Sequence, residues 1–444
     1  MSCPGKTILL TVTPSVIIFC VTPAAIRRRQ ERRHAHIYPE LPVILKKSAE
    51  VTPVAGLVFA VLGGGNGGLA TAADLALKGF PVRLYSSYEE TIAPIAAQGG
   101  LELEVLPSSG LKGGFARLER ATTDIAAAVA GADVILVVTP APSQRRYAEK
   151  VAPHLRRGQV VVLNPGSFGG SLEFTQVLAA RGAPPVTVAE TECLIYAGRK
   201  KGPTHMWIRG YKKGLRLAAF PARETARVLS LLRQAYPDLA EADSVLETGL
   251  SNPNPIIHIP IMILNAARIE APGDFLFYWE GVTPAVGRVI EALDAERLAV
   301  GEALGVPLRS AYEQDLEWYG HQGTHGENIY ETHVNNPIYQ WSLAPTSFEH
   351  RYLTEDTPYG LVPIEDLGRR LGVPTPHLSA AIEYVSLLTR RDLRRGARTI
   401  EKLGLADLSP GELRHYVRTG RREGESLCWP SPMRPSSPAT EERS

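Results

Sequence analysis

The chain has 444 residues, of which 44% are hydrophobic and 21% charged, and its mean hydropathy is -0.06; these values indicate a globular protein of roughly two or three domains. A formal net charge of +2 excludes a strong overall attraction to nucleic acid or to an anionic membrane surface. The four cysteines, Cys3, Cys20, Cys193 and Cys428, form no CxxC pair, which excludes a zinc ribbon and a disulfide framework and is typical of a cytoplasmic protein.

The two ends of the chain differ in composition from the rest. Ile8 to Ile26 is largely apolar and is followed by three arginines, as in a membrane anchor with a basic flank. Two prolines interrupt this run, and its length is barely sufficient to span a bilayer. We therefore expect residues 1–53 to be an extension that is disordered or a misassigned start, and we do not expect a membrane anchor. Residues 421–444 are rich in Pro, Ser and Glu, which predicts a disordered tail.

Short apolar runs alternate with helical patterns through residues 54–235, which predicts an α/β fold: a Rossmann dinucleotide-binding domain with a doubly wound parallel sheet. The unbroken apolar run 57–62 predicts the first strand, since such a strand is buried on both faces. A helix is expected from Leu69 to Lys78, with Gly79 ending it. Further strands are predicted at Val82–Tyr85, Asp133–Val138, Val160–Leu163, Val186–Ala189 and Leu215–Phe220.

The second half of the chain has a different periodicity. From about residue 222 the spacing of apolar residues changes from about 2 to about 3.6, so residues 236–420 are predicted to form an all-α domain. Its clearest helices are predicted at Val282–Leu304, Leu361–Leu371 and Leu378–Leu388.

A glycine-rich loop directly follows the first predicted strand. Gly63, Gly65 and Gly68 match the G-x-G-x-x-G spacing, and Asn66 lies between them where a helix opens. In this context the first glycine permits a tight turn, the second lets the backbone approach a pyrophosphate, and the third allows close packing of helix on strand. Free N–H groups at the helix start favour phosphate. The alternative is a glycine turn without a ligand; a P-loop is excluded because no Lys-Ser or Lys-Thr follows.

Three further strand ends are expected to border the cofactor, because ligands of such sheets bind beyond the carboxyl ends of the strands. Ser86 occupies the position where NAD enzymes carry an acid for the adenosine ribose. Its lack of charge leaves either NADP or NAD open and favours NADP. Thr139 and Pro140 follow the third clear strand and Asn164 the fourth, so we expect them near the nicotinamide; ordinary turn chemistry explains the same residues equally well.

One histidine lies in an otherwise apolar helical run of the second domain. Asn254 and Pro255 are predicted to be the N-cap and first residue of a helix, on which Asn254, His258 and Asn265 share one face. Pro260 should kink or interrupt that helix. A histidine in such a run is either a core residue or a catalytic one, and the pattern alone leaves both open.

A segment of charged and aromatic residues, 350–360, precedes a predicted helix. It is either a solvated turn or the source of Arg351 for a substrate carboxylate and of an acid that orients a catalytic histidine. Elsewhere His321, His325 and His333 lie among Gly and Asn without a second pair of ligands, so we expect no metal site.

Taken in order, these segments resemble the opine dehydrogenase family, of the octopine/nopaline dehydrogenase type. The resemblance runs from about residue 59 to residue 417, and its stretches from residue 247 onward are long and specific to the family. It rests on the glycine loop and on LNPG (163–166), AETE (189–192), ETGLSNPN (247–254), NAARIE (265–270), RYLTED (351–356) and PYGLVP (358–363).

This resemblance implies NADH- or NADPH-dependent joining of a 2-oxo acid to the amino group of an amino acid, with reduction of the imine. It implies that His258 is the catalytic histidine, Asp356 its acidic partner and Arg351 a ligand of the substrate carboxylate. Asn254 and Asn265 are expected to contact substrate as well. The expected partners are these small molecules; a homodimer is compatible with the sequence, which does not determine the oligomeric state.

Three features depart from the family pattern: the missing acid at Ser86, Pro260 near the histidine, and about the first 50 residues.

Two other functions stay open. One is a reductase of the same architecture that acts on a 2-oxo acid or ketone without joining an amine; many of these use a catalytic lysine, and none stands near His258 or Asp356 in the sequence. The other is a protein that senses the dinucleotide without turnover.

Overall fold

The computed structural model describes residues 56–423. The expectations for residues 1–53 and for the tail beyond residue 423 concern segments outside the described residues. None of the helices within 56–423 combines the length and the apolar character that a membrane span needs.

Two sheets are present among the described residues, a large one of eight strands and a small one of four. In chain order the strands are β1 (Phe59–Leu62), β2 (Val82–Tyr85), β3 (Gly100–Val105), β4 (Gly114–Arg117), β5 (Arg120–Thr122), β6 (Val134–Val137), β7 (Val160–Leu163), β8 (Thr187–Thr191), β9 (Tyr196–Lys200), β10 (His205–Tyr211), β11 (Arg216–Phe220) and β12 (Ala240–Glu241).

The large sheet has the order β12-β11-β8-β7-β6-β1-β2-β5, in which β1 lies between β6 and β2. All four residues of β1 are buried, and they alternate between two cores, with Phe59 and Val61 in one and Ala60 and Leu62 in the other. Burial on both faces accounts for the unbroken apolar run in the sequence. The predicted sheet strands correspond to β1, β2, β6, β7, β8 and β11.

In the order of the sheet, the six strands β5, β2, β1, β6, β7 and β8 are parallel to one another, as predicted. The prediction of a parallel strand is wrong for β11. Strand β11 pairs antiparallel with β8, with Leu217 opposite Thr191. The reason lies in the connection: between these strands the chain passes through β9 and β10 of the small sheet, and no crossover helix returns it in the parallel direction.

The small sheet, with the order β4-β3-β10-β9, was not predicted from the sequence. Its strands β3 and β9 read GLELEV and YAGRK and are only partly buried. Because charged residues interrupt them, they lack the apolar run that marked the strands of the large sheet.

The helices of the first half begin at the strand ends as the alternating pattern predicts. They are α1 (Asn66–Leu77), α2 (Glu89–Gln98), α3 (Ile125–Val129), α4 (Ala141–Val151), α5 (Gly170–Ala180) and α6 (Thr225–Leu232). Helix α1 ends one residue before the predicted end, and Gly79 follows it with φ +90°.

The second half is almost entirely helical. Its helices are α7 (Val245–Leu250), α8 (Asn254–Leu264), α9 (Ala266–Glu270), α10 (Pro284–Leu304), α11 (Ala311–Tyr319), α12 (Ile329–Val334), α13 (Arg351–Thr354), α14 (Val362–Leu371), α15 (Pro376–Thr389) and α16 (Pro410–Thr419). Helices α8, α10, α14 and α15 share one apolar core, which reflects the predicted periodicity of 3.6 residues.

Two local predictions about α8 need correction. The helix continues through Pro260, so this proline does not interrupt it. Asn254 is the first helical residue and Pro253 occupies the N-cap; the N–H of Asn254 donates to Oδ1 of Asn252 at 3.1 Å. The polar cap that the sequence assigned to Asn254 is thus supplied two residues earlier.

The strand order places a crevice beside β1. Leu62, at the carboxyl end of β1, lies opposite Tyr85 of β2 on one side and Val137 of β6 on the other. The chain leaves β1 towards β2 and returns through β6, so the loops after β1 and β6 run to opposite sides of the sheet. Ligands of open α/β sheets bind at such a point.

Candidate active site

A cavity of about 390 Å³ lies at this crevice. The loops that follow β1, β6 and β7 line one side of it, and α8 and residues 350–352 line the other. Strand β9, the end of β10 and helix α11 also line it. The cavity therefore joins the predicted cofactor loops to the helical half of the chain.

The glycine loop at this cavity has open space beside Gly65, but it has no space for a side chain at Gly63 or Gly68. A Cβ on Gly63 would lie 2.2 Å from the carbonyl oxygen of Val138, and a Cβ on Gly68 would lie 1.9 Å from that of Gly63. Any side chain there would separate strand from helix. A Cβ on Gly65, in contrast, would meet no atom within 4 Å, and Gly65 lines the cavity. The loop thus offers an open space at the N-terminus of α1, where backbone N–H groups favour a phosphate.

Among the buried polar atoms at the cavity that have no hydrogen-bond partner within the described residues are Oγ1 of Thr139 and Nδ2 of Asn164. The other side of the Asn164 amide is held, because its Oδ1 accepts from Thr191 Oγ1 at 3.1 Å and from the N–H of Ile195 at 3.3 Å. Buried polar groups are nearly always hydrogen-bonded in folded proteins. These atoms, with the open space at Gly65, fit the hydroxyl and amide groups of a bound nicotinamide dinucleotide.

The remaining predicted cofactor residues have different positions. Pro140 lines the cavity directly before α4. Asn66 also lines it, and its Oδ1 accepts from the N–H of Lys200 at 2.9 Å, which fastens the glycine loop to β9. Ser86 is buried at the end of β2 and is not among the cavity residues. It therefore lies away from the cavity that His258 lines.

The histidine of α8 is fixed by two hydrogen bonds. His258 Nδ1 lies 2.7 Å from Oδ2 of Asp356, and its Nε2 lies 2.8 Å from the hydroxyl of Tyr278. The ring of Tyr352 stacks on the imidazole with 3.8 Å between centroids and 26° between planes. His258 and Asp356 are 6% and 7% exposed. The prediction that these two residues meet is thus correct in geometry, and the histidine is buried with a polar partner on each nitrogen.

Burial shifts the protonation of this pair towards uncharged groups. It raises the pKa of Asp356 to about 7, and it lowers the pKa of His258 well below the usual value, an effect that the charge of Arg351 reinforces. Burial also raises the pKa of Tyr278 well above its usual value, so this phenol keeps its proton. The hydrogen-bond network then assigns Nδ1–H as donor to Asp356 and Nε2 as acceptor from Tyr278. A proton that reaches Nε2 gains the Asp356 carboxylate as its counter-charge.

Arg351 opens α13 and lines the cavity beside His258. Its Nε lies 2.9 Å from Oε2 of Glu355. The other oxygen of Glu355 accepts from the N–H of Ala141 at 3.0 Å. Glu355 therefore ties the arginine to the start of α4, next to the cofactor loop, while 43% of the arginine side chain stays exposed.

The structure separates the two asparagines that were predicted to bind substrate. Asn254 lines the cavity, and its Oδ1 lies 3.9 Å from Sγ of Cys193. Asn265 is not among the cavity residues; its Nδ2 donates to the carbonyls of Ile261 and Gly281, both at 3.0 Å. Asn265 thus closes the end of α8, and we do not carry it forward as a substrate ligand.

The sequence analysis did not predict several cavity residues, among them Tyr278, Arg199 and Lys212. No lysine stands near His258 in the sequence, yet Lys212 reaches the same cavity from the end of β10. Its ammonium donates to the carbonyl of Leu194 at 2.9 Å. The only available signal was the alternation of side chains along β9 and β10, and these strands were not recognised.

The three histidines considered for a metal do not share one position. His333 is buried in α12, 3.4 Å from Oδ2 of Asp315, whereas His321 and His325 are exposed. Within residues 56–423 no group of three His, Cys, Asp or Glu side chains is arranged to hold a metal ion.

Comparison with known families gives two matches along the chain. The family described as NAD/NADP octopine/nopaline dehydrogenase, alpha-helical domain, matches residues 241–389. The family described as NAD-dependent glycerol-3-phosphate dehydrogenase N-terminus matches residues 58–184. His258 and Asp356 fall within the first match and the glycine loop within the second.

Individual proteins match over most of the chain. An opine dehydrogenase of Arthrobacter sp. (strain 1C) is 38% identical over 81% of this chain and 98% of its own. The protein ocs of Agrobacterium vitis is 30% identical over 78% of this chain and 95% of its own. A solved structure of octopine dehydrogenase with NADH and L-arginine has a TM-score of 0.66 at 21% identity, covering 84% of this chain and all of that one; it shows a shared fold.

Proposed function

The chain belongs to the opine dehydrogenase family, and we propose that it catalyses the reversible reductive condensation of the amino group of an amino acid with a 2-oxo acid, with NADH or NADPH as reductant. It is accordingly an NAD(P)-dependent dehydrogenase that acts on a CH–NH bond. Its substrates are small molecules.

One observation carries this proposal. The same cavity is lined by Gly65 and Thr139 of the cofactor loops and by His258 and Arg351 of the helical half. A proton-transfer group and a carboxylate-binding group therefore lie beside the place where a nicotinamide would end, as reduction of a 2-oxo acid derivative requires. We further propose that residues 54–235 hold the cofactor and residues 236–420 supply the catalytic groups.

The bound cofactor supplies the hydride, and His258 accepts and donates the proton that is transferred. Its neutral Nε2 takes a proton from the ammonium group of the amino acid, which frees the amine to attack the carbonyl carbon of the oxo acid. The imidazolium returns that proton to the hydroxyl group that leaves as water, and an iminium remains for reduction. Asp356 holds the ring in the tautomer whose Nε2 carries no proton, so that the substrate ammonium takes the place of the Tyr278 hydroxyl as donor to Nε2, and it stabilises the imidazolium.

Arg351 orients the 2-oxo acid in this scheme. A guanidinium binds a carboxylate through two parallel N–H bonds, which fixes the direction of the carbonyl carbon. Glu355 holds the guanidinium through Nε and leaves the terminal nitrogens for the substrate. Since Glu355 also bonds to Ala141, the position of this carboxylate is set relative to the cofactor loop.

We also propose that the enzyme accepts NADPH at least as well as NADH. Ser86, at the end of β2, presents no carboxylate to a 2′-phosphate. The nearby Lys150 of α4 donates to the hydroxyl of Tyr85 at 3.3 Å, which brings positive charge to this end of the sheet. The sequence alone did not connect Lys150 with the end of β2.

The cysteine usage supports a cytoplasmic location. Cys193 is buried and unpaired, as is typical of proteins in a reducing compartment. Cell fractionation tests this location, and recovery of the protein in the medium or in the membrane fraction would contradict it.

A substrate grid tests the proposed reaction. Purified enzyme, NADPH or NADH, and pairs of amino acids with 2-oxo acids should oxidise the cofactor only when both substrates are present, and mass spectrometry should detect the secondary amine. Cofactor oxidation with the oxo acid alone, giving a 2-hydroxy acid, would favour the simple reductase. Tight cofactor binding without turnover on any pair would favour the dinucleotide sensor.

A further inference from the structure

Arg199 is one of four cationic side chains that line the cavity, with Arg209, Lys212 and Arg351. The other three are held in place by neighbouring groups, as the bonds of Lys212 and Arg351 described above show. Arg209 donates to the hydroxyl of Ser342 at 3.3 Å. Within residues 56–423 the guanidinium of Arg199 forms no hydrogen bond and no ion pair, although it is partly buried.

The position of Arg199 on β9 directs it to the cavity. Its neighbour Gly198 belongs to the face of the strand that packs on α1, where a Cβ would lie 3.7 Å from Cβ of Ala70. Ala197, Gly198 and Arg199 all line the cavity. Since successive side chains of a strand point to opposite faces, the side chain of Arg199 lies on the face of β9 opposite to the one that packs on α1 at Gly198. Burial, and after it the charge of Arg199, lower the pKa of His350 to about 3, so the guanidinium lies close to the histidine that precedes Arg351.

The proposed reaction brings two carboxylates into this cavity. The amino acid and the 2-oxo acid each carry one, and the product keeps both, on the two carbons that flank the new secondary amine. These groups diverge from the nitrogen, so one guanidinium cannot bind both in two-pronged fashion. Arg351, on the helical wall, already has its Nε in an ion pair with Glu355 and serves one carboxylate.

We propose that Arg199, on the strand wall, binds the carboxylate of the amino acid substrate, while Arg351 binds that of the 2-oxo acid. This inference rests on the proposed function and adds the second substrate contact. It assigns the two substrates to different arginines of one cavity, which His258 also lines. An amine without a carboxylate then lacks the partner that Arg199 requires.

The test compares amino acids with the amines that lack only the carboxylate. L-phenylalanine and phenethylamine, L-leucine and isopentylamine, and L-arginine and agmatine are each combined with pyruvate and NADPH. For wild-type enzyme the amino acids should be the better substrates. Arg199→Gln should lower kcat/KM for the amino acids by about ten- to a hundredfold, the usual effect of losing a hydrogen bond to a charged group. It should leave kcat/KM for the amines and KM for pyruvate within about twofold of the wild-type values. For Arg199→Lys, kcat/KM for the amino acids should lie between those of the wild type and of Arg199→Gln.

Arg117→Gln is the matched control, because Arg117 is exposed on β4 of the same small sheet and should leave all these constants unchanged. NADPH binding by fluorescence and the circular dichroism spectrum confirm that each variant is folded. An equal loss on amino acids and amines, or a raised KM for pyruvate, would overturn the assignment of Arg199. If wild-type enzyme formed no secondary amine from any pair, the proposed function itself would fail, and the inference with it.

Discussion

His258 and Asp356 are 98 positions apart in the chain, yet Nδ1 of one lies 2.7 Å from Oδ2 of the other. Helix α8 carries the histidine, and the acid follows α13. Both side chains are buried, so little water competes for the hydrogen bond between them. The pair therefore has a single arrangement, and this arrangement sets the tautomer of the imidazole.

Replacing the histidine should stop proton transfer without affecting the cofactor site. We expect His258→Ala to lower kcat by about 10² to 10⁴, the range typical of lost acid–base catalysis, while NADPH affinity by fluorescence titration stays at the wild-type value. His325→Ala is the control, because His325 is exposed outside the cavity. A His258→Ala enzyme within about threefold of wild type would return this histidine to a structural role.

Asp356→Asn should also lower kcat, because an amide does not stabilise the imidazolium. The double variant with His258→Ala should be little slower than His258→Ala alone, since residues that act as a unit are not additive. Steady-state kinetics of the four enzymes decide this. Independent, multiplicative losses would show that the two residues do not cooperate.

The raised pKa of Asp356 predicts a change of stability with pH. Burial holds it at about 7 in the folded protein, above the value of about 3.9 in an unfolded chain. The folded state therefore binds the proton more tightly, and the stability that this gives is present below about pH 4 and is lost as the pH rises through 7. Asp356→Asn removes the ionisable group, so its Tm relative to wild type should be higher at pH 8 than at pH 5. Calorimetry measures the Tm of both enzymes at the two pH values. A Tm difference that does not change with pH would contradict the raised pKa of Asp356.

Arg351→Lys should act mainly on binding of the oxo acid. A lysine keeps the charge but replaces a planar two-pronged donor with a single point charge, so KM for the 2-oxo acid should rise about tenfold or more while KM for the amino acid changes little. Arg288→Lys, at an exposed position of α10, provides the control. A selective rise in KM for the amino acid would mean that the two arginines have exchanged roles.

Cofactor choice should respond to the residue at the end of β2. Ser86→Asp places a carboxylate beside the adenosine ribose, where it repels a 2′-phosphate and accepts from a 2′-hydroxyl. The ratio of kcat/KM for NADH over NADPH should rise, whereas Ser86→Ala should leave it near the wild-type value. A hundredfold preference of the wild-type enzyme for NADH would contradict the interpretation that Ser86 permits NADPH to bind.

Much of the fold was predictable where local sequence and burial agree. Strands β1, β6 and β7 are buried on both faces, so their apolar runs were clear. The glycine loop follows β1 directly, and its spacing is recognisable in the sequence although Gly63 is required by the approach of Val138 from β6 as well as by the turn itself. Helix α10 was found because its periodic stripe faces one core.

The small sheet was missed because β3 and β9 are partly buried and carry charged residues, so they have no apolar pattern. The direction of β11 was missed because it depends on the path of the chain through that sheet. Asn265 shared a helical face with His258 in the sequence pattern, but it lies where α8 ends and its amide bonds to backbone carbonyls. A shared face does not decide which residues reach a cavity.

The sequence by itself determined the dinucleotide-binding loop, the division into a sheet half and a helical half, and, through family resemblance, the meeting of His258 with Asp356. Only the tertiary structure decided that Tyr278 bonds to Nε2, that Glu355 joins Arg351 to the cofactor loop, and that Arg199 faces the same cavity. The reason is physical: propensity and periodicity act within a few residues along the chain, whereas these contacts depend on how elements far apart in the chain pack against one another.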